Sequence, residues 1–249
     1  MQHGRRRDAE RYPVRMVARF VEDVRTLASP HVRHFPDGRT SLVLRVMGAN
    51  ADLTIMGPRT RAVFKNASYL TRAISVRLKP GWAAALGISA RDAANAYIKL
   101  RDVWGRAGDE LCERMVAATT TAQLIEDVSN AIAARAAFEP ASAWIARRAA
   151  RMLETEPLRV EEVASHFGVT SRHLRRAFLE NVGIAPKDFA RSVRLQRVLR
   201  LTATTTDWPR IASAAGYYDQ AHLIGDFRDL VGITPAAFVN HRASQHSTT

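Results

Sequence analysis

The C-terminal part of the chain contains an internal repeat of 48 to 49 residues. Seven positions of the first copy recur in the same order in the second copy: Ala164 and Ala212, Gly168 and Gly216, Leu174 and Leu223, Phe178 and Phe227, Gly183 and Gly232, Pro186 and Pro235, Phe189 and Phe238. The offset grows from 48 to 49 after Gly216, so the second copy holds one extra residue around Tyr217-Tyr218-Asp219. Two copies are fewer than the three that a helical solenoid usually needs. The repeat therefore predicts two related units side by side in one all-helical domain.

Each copy has the pattern of a helix, a tight turn and a second helix. In the first copy the apolar face of the first helix is formed by Val160, Val163, Ala164 and Phe167. Gly168 supplies the turn, and Thr170 or Ser171 caps the second helix. That helix turns Leu174, Ala177 and Phe178 inward and leaves Arg172, His173, Arg175 and Arg176 outward. The second copy turns Ile211, Ala212 and Ala215 inward and leaves Gln220, Ala221, His222 and Gly225 outward. This is the helix-turn-helix layout, in which the second helix enters the DNA major groove.

Residues 141–242 resemble the DNA-binding domain of the AraC/XylS family of bacterial transcription regulators. Three stretches carry the resemblance: Val163 to Phe178, Ile211 to Leu223 with the following Phe227, and the two Gly-x-x-Pro-x-x-Phe ends. The resemblance implies two helix-turn-helix motifs joined by a long helix from about Pro186 to Leu201. The two second helices would then read successive segments of the major groove.

The resemblance also implies roles for single residues. Arg172, Arg175 and Arg176 would contact base edges, with Ser171 and His173 nearer the DNA backbone. Because arginine pairs best with guanine, we predict a half-site containing guanine. In the second motif Gln220 and His222 would read bases, and glutamine suits adenine. On the connecting helix, Arg191 and Arg194 are candidate phosphate contacts, with exposed surface as the alternative.

The second motif departs from the family pattern at Gly225. This position often carries a longer polar or basic reader, and the neighbouring Asp226 is acidic. We therefore expect weaker or more permissive recognition by the second motif.

The excess of positive charge indicates a polyanionic binding partner. The 37 Lys and Arg residues exceed the 24 Asp and Glu residues, giving a net charge of +13, and only four of the 37 are lysine. Arginine holds phosphates and guanine through a rigid fork, although a bias in genome nucleotide composition also produces arginine-rich chains. Residues 166–200 hold eight basic and two acidic side chains, whereas residues 201–249 hold three and four. The first motif should therefore dominate electrostatic affinity, and the arginine-rich N-terminal tail should add non-specific affinity.

Residues 1–139 are predicted to form an α+β domain with a small antiparallel sheet, for sensing or oligomerisation. Residues 140–249 are predicted to form the DNA-binding domain, with the boundary at Glu139-Pro140. β-type runs cover Ser41 to Met47, Asp52 to Met56, Ala62 to Lys65 and Arg72 to Lys79. Helices are predicted before Ser29-Pro30 and near 81–87, 89–97, 107–118 and 121–137. The apolar face of the last of these predicts either a dimer contact or packing on its own sheet.

The N-terminal segment His34 to Gly38, leading into Ser41 to Leu44, also resembles sensory domains attached to some AraC-type regulators. The aromatic residues Trp82, Trp104, Tyr97 and Phe64 are candidates to line an apolar pocket or to fill the core. His31, His34 and Asp37 lie in a predicted loop, so we predict no metal site. The single Cys112 is read as a packing residue, because disulfides and thiolate zinc sites need several cysteines.

Together these patterns predict a sequence-specific DNA-binding transcription regulator that responds to a small molecule or partner through its N-terminal domain. The alternative is a sensor or adaptor that acts mainly by protein contact and binds DNA secondarily. No catalytic motif is present, so we predict no enzyme activity and no cofactor. The expected partners are double-stranded promoter DNA, RNA polymerase, a second copy of the chain and an unidentified small-molecule effector. No long apolar run or signal peptide is apparent, which predicts a cytoplasmic protein without membrane contact.

Overall fold

The computed structural model describes residues 20–26, 31–135 and 141–246. Its N-terminal part is α+β and its C-terminal part is all-helical, as predicted. The strands are β1 Val21–Thr26, β2 His31–His34, β3 Ser41–Met47, β4 Asn50–Met56, β5 Val63–Asn66, β6 Arg72–Leu78 and β7 Tyr97–Lys99. A 3-10 helix covers Ala83–Leu86. The N-terminal α-helices are α1 Ala90–Ala93, α2 Leu100–Trp104, α3 Arg106–Ala117 and α4 Thr121–Ala133.

The main sheet is antiparallel, with strand order β1-β6-β3-β4-β7. The strands β3 and β4 form a hairpin in which Met47 pairs with Asn50, and the turn between them places Gly48 at a φ of 60°. A second, two-stranded sheet pairs β2 with β5. Because successive side chains alternate between faces, one face of the main sheet presents its apolar residues to α3 and α4. Buried there are Leu42, Leu44, Ile55, Ile74, Val76, Leu111, Met115, Val128 and Ile132.

The apolar face of α4 packs on its own sheet. Leu124, Val128, Ala131 and Ile132 all belong to the buried core of the N-terminal part. Two roles were expected for the apolar face of this helix, and the structure shows the one in which it packs on its own sheet. Cys112 lies in the same core, where burial raises the pKa of its thiol. Its prediction as a packing residue agrees with this position.

The predicted helix before Ser29-Pro30 is wrong where the structure describes it, because Val21–Thr26 is a strand paired with β6. Residues 1–19 and 27–30 lie outside the described residues. The error has a physical cause, since Val21 and Val24 have the spacing of a helix. A register irregularity between Val21 and Asp23 lets Val21 and Val24 reach the same core from a strand.

Two other N-terminal predictions need correction. The helix predicted at 89–97 ends at Ala93, and Tyr97–Lys99 is instead an edge strand beside β4. The segment predicted as a loop at His31 and His34 is instead the strand β2, and the helix α2 was not predicted. Both are short, and short elements depend more on tertiary packing than on their own sequence pattern. The four strands predicted between Ser41 and Lys79 are confirmed to within two residues at each end.

The C-terminal part consists of seven helices in the described residues. They are α5 Ala141–Thr155, α6 Val160–His166, α7 Ser171–Asn181, α8 Pro186–Leu201, α9 Trp208–Ala215, α10 Gln220–Val231 and α11 Pro235–His246. The helix α8 has the bounds predicted for the connecting helix. It contributes Phe189 and Val193 to one buried core and Leu195 and Val198 to another. It therefore forms part of the packing of both repeated units.

The two parts of the chain are packed together through the segment that follows β2. The Gln196 Nε2 atom on α8 donates to the Pro36 carbonyl at 2.8 Å. The rings of Phe35 and Phe238 on α11 lie 5.6 Å apart. Gly38 lies so close to α8 that an added Cβ would stand 2.4 Å from the Phe189 ring. The domain boundary predicted at Glu139-Pro140 falls on residues outside those described, and it stays a prediction.

Candidate nucleic-acid interface

The first helix-turn-helix motif is formed by α6 and α7. Gly168 lies in the turn at a φ of 62°, a conformation that favours glycine. Thr170 caps α7, its side chain accepting a hydrogen bond from the His173 backbone at 3.1 Å. Leu174, Ala177 and Phe178 are buried, as predicted. The inner face of α7 is thus fixed by packing, which fixes the direction of its outer face.

The outer face of α7 carries the residues predicted for the first motif. Ser171, Arg172, His173, Arg175 and Arg176 are all exposed. Among the described residues, one ion pair involves this group. It joins Arg176 to Glu180 on the same helix, at 3.3 Å. Both side chains of this pair are largely exposed, so the pair is weak and readily exchanged. The guanidinium groups of Arg172 and Arg175 project from a rigid helix without a carboxylate partner in the described structure.

The second motif is formed by α9 and α10. Gly216 ends α9 in the left-handed conformation, with a φ of 87°. Asp219 caps α10 by accepting a hydrogen bond from the His222 backbone at 2.7 Å. The His222 side chain is exposed and Gln220 is half-buried, both in the first turn of α10. The His222 ring stands edge-on to the Tyr217 ring, 5.2 Å away, which orients the imidazole.

We expected Asp226 to weaken DNA recognition as an acidic neighbour of Gly225, which requires it to lie on the outer face of α10. The structure does not place it on that face. It is 8% exposed and faces α8. Its carboxylate accepts from the Tyr217 hydroxyl at 3.0 Å and from Arg191 Nε at 2.5 Å. The sequence expectation for Asp226 therefore needs correction, because this carboxylate holds helices together. Gly225 itself is exposed, as expected.

The two arginines predicted as phosphate contacts on α8 are half-buried and face Asp226. Arg191 also approaches Asp229 at 3.4 Å, and Arg194 reaches Asp226 at 3.8 Å. Burial lowers the pKa of Arg191, but the hydrogen bond and charge of Asp226 outweigh burial, so this pKa is raised. Burial and the Asp226 charge likewise raise the pKa of Tyr217. The cluster of Arg191, Arg194, Tyr217 and Asp226 thus ties α10 to α8.

Sequence reasoning did not single out Tyr218 as a site residue, although it lies at the extra position of the second copy. The side chain of Tyr218 is 93% exposed, directly before the cap of α10. Tyr217, by contrast, is buried against the Asp226 cluster. The change in repeat offset after Gly216 was the signal for this position. The first motif has no counterpart, because Val169 alone separates its turn glycine from its cap.

The other candidates of the sequence occupy the N-terminal part. Trp82 and Trp104 pack against its core, whereas Phe64 and Tyr97 are 52% and 40% exposed. Tyr97 also lines a cavity beside β4 and β5. Asp37 is engaged by Arg77 at 2.8 Å. Within the described ranges no group of His, Cys, Asp and Glu side chains has a metal-binding arrangement. Among the same residues, every helix is too short or too polar to cross a lipid bilayer.

Comparison with known proteins matches the same region. A family model described as a helix-turn-helix domain matches residues 163–241. The HTH-type transcriptional regulator ArgR of Pseudomonas aeruginosa is 30% identical over 88 residues, 35% of this chain and 27% of that protein. The chain thus spans about a quarter of the length of this relative.

Solved structures of similar fold include ToxT and the DNA-binding domain of AdpA. ToxT from Vibrio cholerae is 9% identical with a TM-score of 0.49, over 88% of this chain and 98% of that chain. The DNA-binding domain of AdpA, solved in complex with a target DNA, is 22% identical with a TM-score of 0.38. That match covers 45% of this chain and all of the AdpA domain.

Proposed function

We propose that this chain, whose C-terminal domain is a double helix-turn-helix domain of the AraC/XylS type, is a sequence-specific transcription regulator. Residues 140–249 would bind promoter DNA, and residues 1–139 would sense an effector or hold a second copy. One observation carries the DNA-binding part of this proposal. The buried face of α7 fixes an outer face on which Arg172, Arg175 and Arg176 are exposed together.

The first motif is proposed to supply most of the affinity. Arginine on the outer face of a recognition helix donates two parallel hydrogen bonds to guanine O6 and N7. Ser171 and His173, in the first turn of α7, would contact the DNA backbone. We expect a half-site containing guanine under α7.

The second motif is proposed to read bases with Gln220 and His222. Glutamine matches the N6 and N7 edge of adenine. Gly225 offers no side chain to the groove, so this half-site should tolerate more base changes. Tyr218 extends from the same helix end and is a further candidate to contact the sugar-phosphate backbone. For Arg191 and Arg194, we propose that positioning α10 through Asp226 matters more than phosphate contact, because their guanidinium groups already face that carboxylate.

The test is a titration of the natural operator with Arg175→Ala, His222→Ala and the control Arg106→Ala. Arg106 is a 91% exposed arginine on α3, so its loss lowers the net charge equally and leaves the proposed interface intact. We expect Arg175→Ala to weaken operator binding by about 1–3 kcal/mol and to relax the choice of one base. His222→Ala should have a smaller effect, and Arg106→Ala almost none.

Measuring affinity at several salt concentrations separates the two kinds of contact. Each lost phosphate contact lowers the salt slope by about 0.9, whereas a lost base contact changes sequence preference. If Arg175→Ala left the affinity unchanged and His222→Ala abolished it, the proposed ranking of the motifs would be wrong. If competitor DNA displaced the wild-type protein from the operator, the binding would be non-specific. That result would instead favour an adaptor that acts by protein contact.

The remaining parts of the proposal concern the whole protein. A regulator of this kind acts in the cytoplasm, beside RNA polymerase, and needs neither catalysis nor a cofactor. The effector is a small molecule that the N-terminal domain would bind. Packing of the segment after β2 on α8 supports communication between such a ligand and the DNA-binding helices.

A further inference from the structure

A cavity of about 90 Å³ lies between the main sheet, the segment after β2 and α8. Its lining is strongly basic, since it contains five arginines and one carboxylate, that of Asp37. The arginines are Arg25, Arg33, Arg39, Arg59 and Arg77. The α8 side of the cavity is formed by Gln196, which also bonds the Pro36 carbonyl.

Three of these arginines are matched by nearby acids. Arg77 binds Asp23 at 2.5 Å and Asp37 at 2.8 Å. Arg25 approaches Asp23 at 3.4 Å. Arg39 binds Glu22 and reaches Glu154 on α5 at 2.7 Å. Among the described residues, these pairs use the carboxylates around the cavity and leave none for the loop after β4.

Arg59, on that loop, is different. It is only 6% exposed, yet no carboxylate in the described part of the chain pairs with it. Its terminal nitrogens donate to the Asn95 carbonyl at 2.5 Å and the Ala96 carbonyl at 3.3 Å. Its Nε is buried without a hydrogen-bond partner among the described residues. Burial lowers the pKa of this guanidinium, which still carries its charge.

The Arg59 guanidinium lies over the Tyr97 ring, 3.9 Å from its centroid. A buried cation without a counter-ion is nevertheless destabilising. An anion in the adjoining cavity lowers that cost, because it pairs with the charge of Arg59 at short range. We propose that this cavity binds a small oxyanion or short carboxylate, with Arg59 as the anchoring residue. Arg33, which lines the same cavity, would face the anion from β2.

The size and lining of the cavity define the class of ligand. One buried water molecule needs roughly 10–15 Å³ of cavity volume, so the space suits several waters or one small anion. Its apolar lining is limited to Phe35, Met56 and the backbone of Gly57. A hydrophilic anion with several oxygens, such as phosphate, sulfate or a short carboxylate, fits this lining. A long hydrocarbon chain does not.

The position of the cavity gives the ligand a route to the DNA-binding helices. Gln196 belongs both to the lining and to α8, whose preceding residues Arg191 and Arg194 face Asp226. An anion would therefore act on α8 and alter DNA affinity. This consequence rests on the proposed function, whereas binding of the anion does not.

The test measures binding of inorganic phosphate, sulfate and acetate to the full chain by calorimetry, without DNA and at constant ionic strength set with chloride. We expect saturable binding of one anion per chain in wild type. Arg59→Gln should weaken it about tenfold or more, since the buried positive charge that pairs with the anion is lost. The control Arg101→Gln, which removes a 74% exposed arginine on α2, should bind as wild type does. Equal binding by wild type and Arg59→Gln, or none by wild type, would overturn the proposal.

A second measurement needs no variant. His34 lines this cavity, so a bound anion should raise the pKa of its imidazole, measured by NMR titration of wild type with and without phosphate. An unchanged titration at saturating phosphate contradicts the site. Because neither measurement involves DNA, failure of the anion site leaves the operator titrations unaffected. A bound anion that leaves operator affinity unchanged rejects only the route through α8.

Discussion

His34 illustrates how burial and nearby cations together lower the pKa of one imidazole. Burial, followed by repulsion from Arg59 and Lys65, lowers the pKa of His34 from 6.5 to about 4. The folded chain therefore keeps this imidazole neutral over a range of pH in which the unfolded chain protonates it. Folding then releases a proton, and stability falls as pH drops from about 6.5 to 4.

We expect His34→Gln to flatten this part of the pH dependence of stability. Glutamine keeps a polar side chain of similar length but has no proton to gain. Urea unfolding of the two proteins at pH 7, 6, 5 and 4 measures the effect. A loss of stability that runs parallel in both proteins would show that other groups cause it.

Gly38 shows how one residue limits the distance between two parts of the fold. It has a φ of 71°, and an added Cβ would stand 2.4 Å from the Phe189 ring on α8. Gly48, in the β3-β4 turn, has a φ of 60° but nothing within 4 Å of an added Cβ. The two glycines have similar φ angles, but an added Cβ would meet another residue only at Gly38.

Gly38→Ala should therefore destabilise the fold by about 1–3 kcal/mol more than Gly48→Ala does. The backbone cost is similar at both positions, and overpacking against Phe189 adds the difference. Chemical denaturation of both variants measures it. Equal losses would mean that the Phe189 ring moves aside freely.

At the scale of elements, α8 joins the two motifs through packing at its two ends and through the Asp226 cluster. Asp226 accepts from a buried hydroxyl and from Arg191, so its carboxylate oxygens help to hold α10 against α8. Asp229, one turn later on the outer side, approaches the same Arg191 at 3.4 Å with a 72% exposed side chain. The two carboxylates allow a matched comparison.

Asp226→Asn should cost about 1.5–3 kcal/mol of stability, because hydrogen bonds to a charged group are lost in a buried site. Asp229→Asn should cost under about 1 kcal/mol, as exposed ion pairs do. Thermal unfolding gives both values. In operator binding, Asp226→Asn should weaken the contribution of α10 more than that of α7, seen as reduced sensitivity to mutation of the second half-site. A stability loss from Asp229→Asn as large as that from Asp226→Asn would contradict the assigned roles.

The helices of the repeat could be predicted because each position follows from local chemistry. Turn glycines, caps and apolar spacing indicate α6, α7, α9 and α10, whereas the connecting helix and its ends were implied by the resemblance to the AraC/XylS family. The strand β1 could not be predicted, since an irregular register gives Val21 and Val24 the spacing of a helix. The pairing of Arg191 and Arg194 with Asp226 was also hidden, because it depends on how α8 and α10 cross.

At the scale of the whole molecule, the cores of the C-terminal part are completed by N-terminal residues. Ala94 packs against the core of the first unit, and Phe35 and Ala62 pack against the core of the second. The Ala62 backbone donates to the Leu230 carbonyl at 2.7 Å. Net charge, by contrast, indicated only a polyanionic partner and no architecture.

We expect the full chain to unfold in one calorimetric transition. An isolated 141–249 fragment should unfold at a lower temperature than the full chain, because it exposes the apolar surface around Phe189 and Phe238. Scanning calorimetry of both proteins makes the comparison. Two separate transitions in the full chain, the upper one matching the fragment, would show that the two parts are independent.

The contact of Phe35, Gly38 and Ala62 with the C-terminal helices has a consequence for evolution and for engineering. DNA-reading domains are often treated as interchangeable parts that can be fused to any sensor. A chimaera that joins a foreign sensor domain to residues 141–249 would lack the N-terminal side chains that complete the buried cores of the C-terminal helices. A functional exchange would have to carry the segment from Phe35 to Ala62 along with the helices, so the natural unit of recombination is larger than the unit that touches DNA.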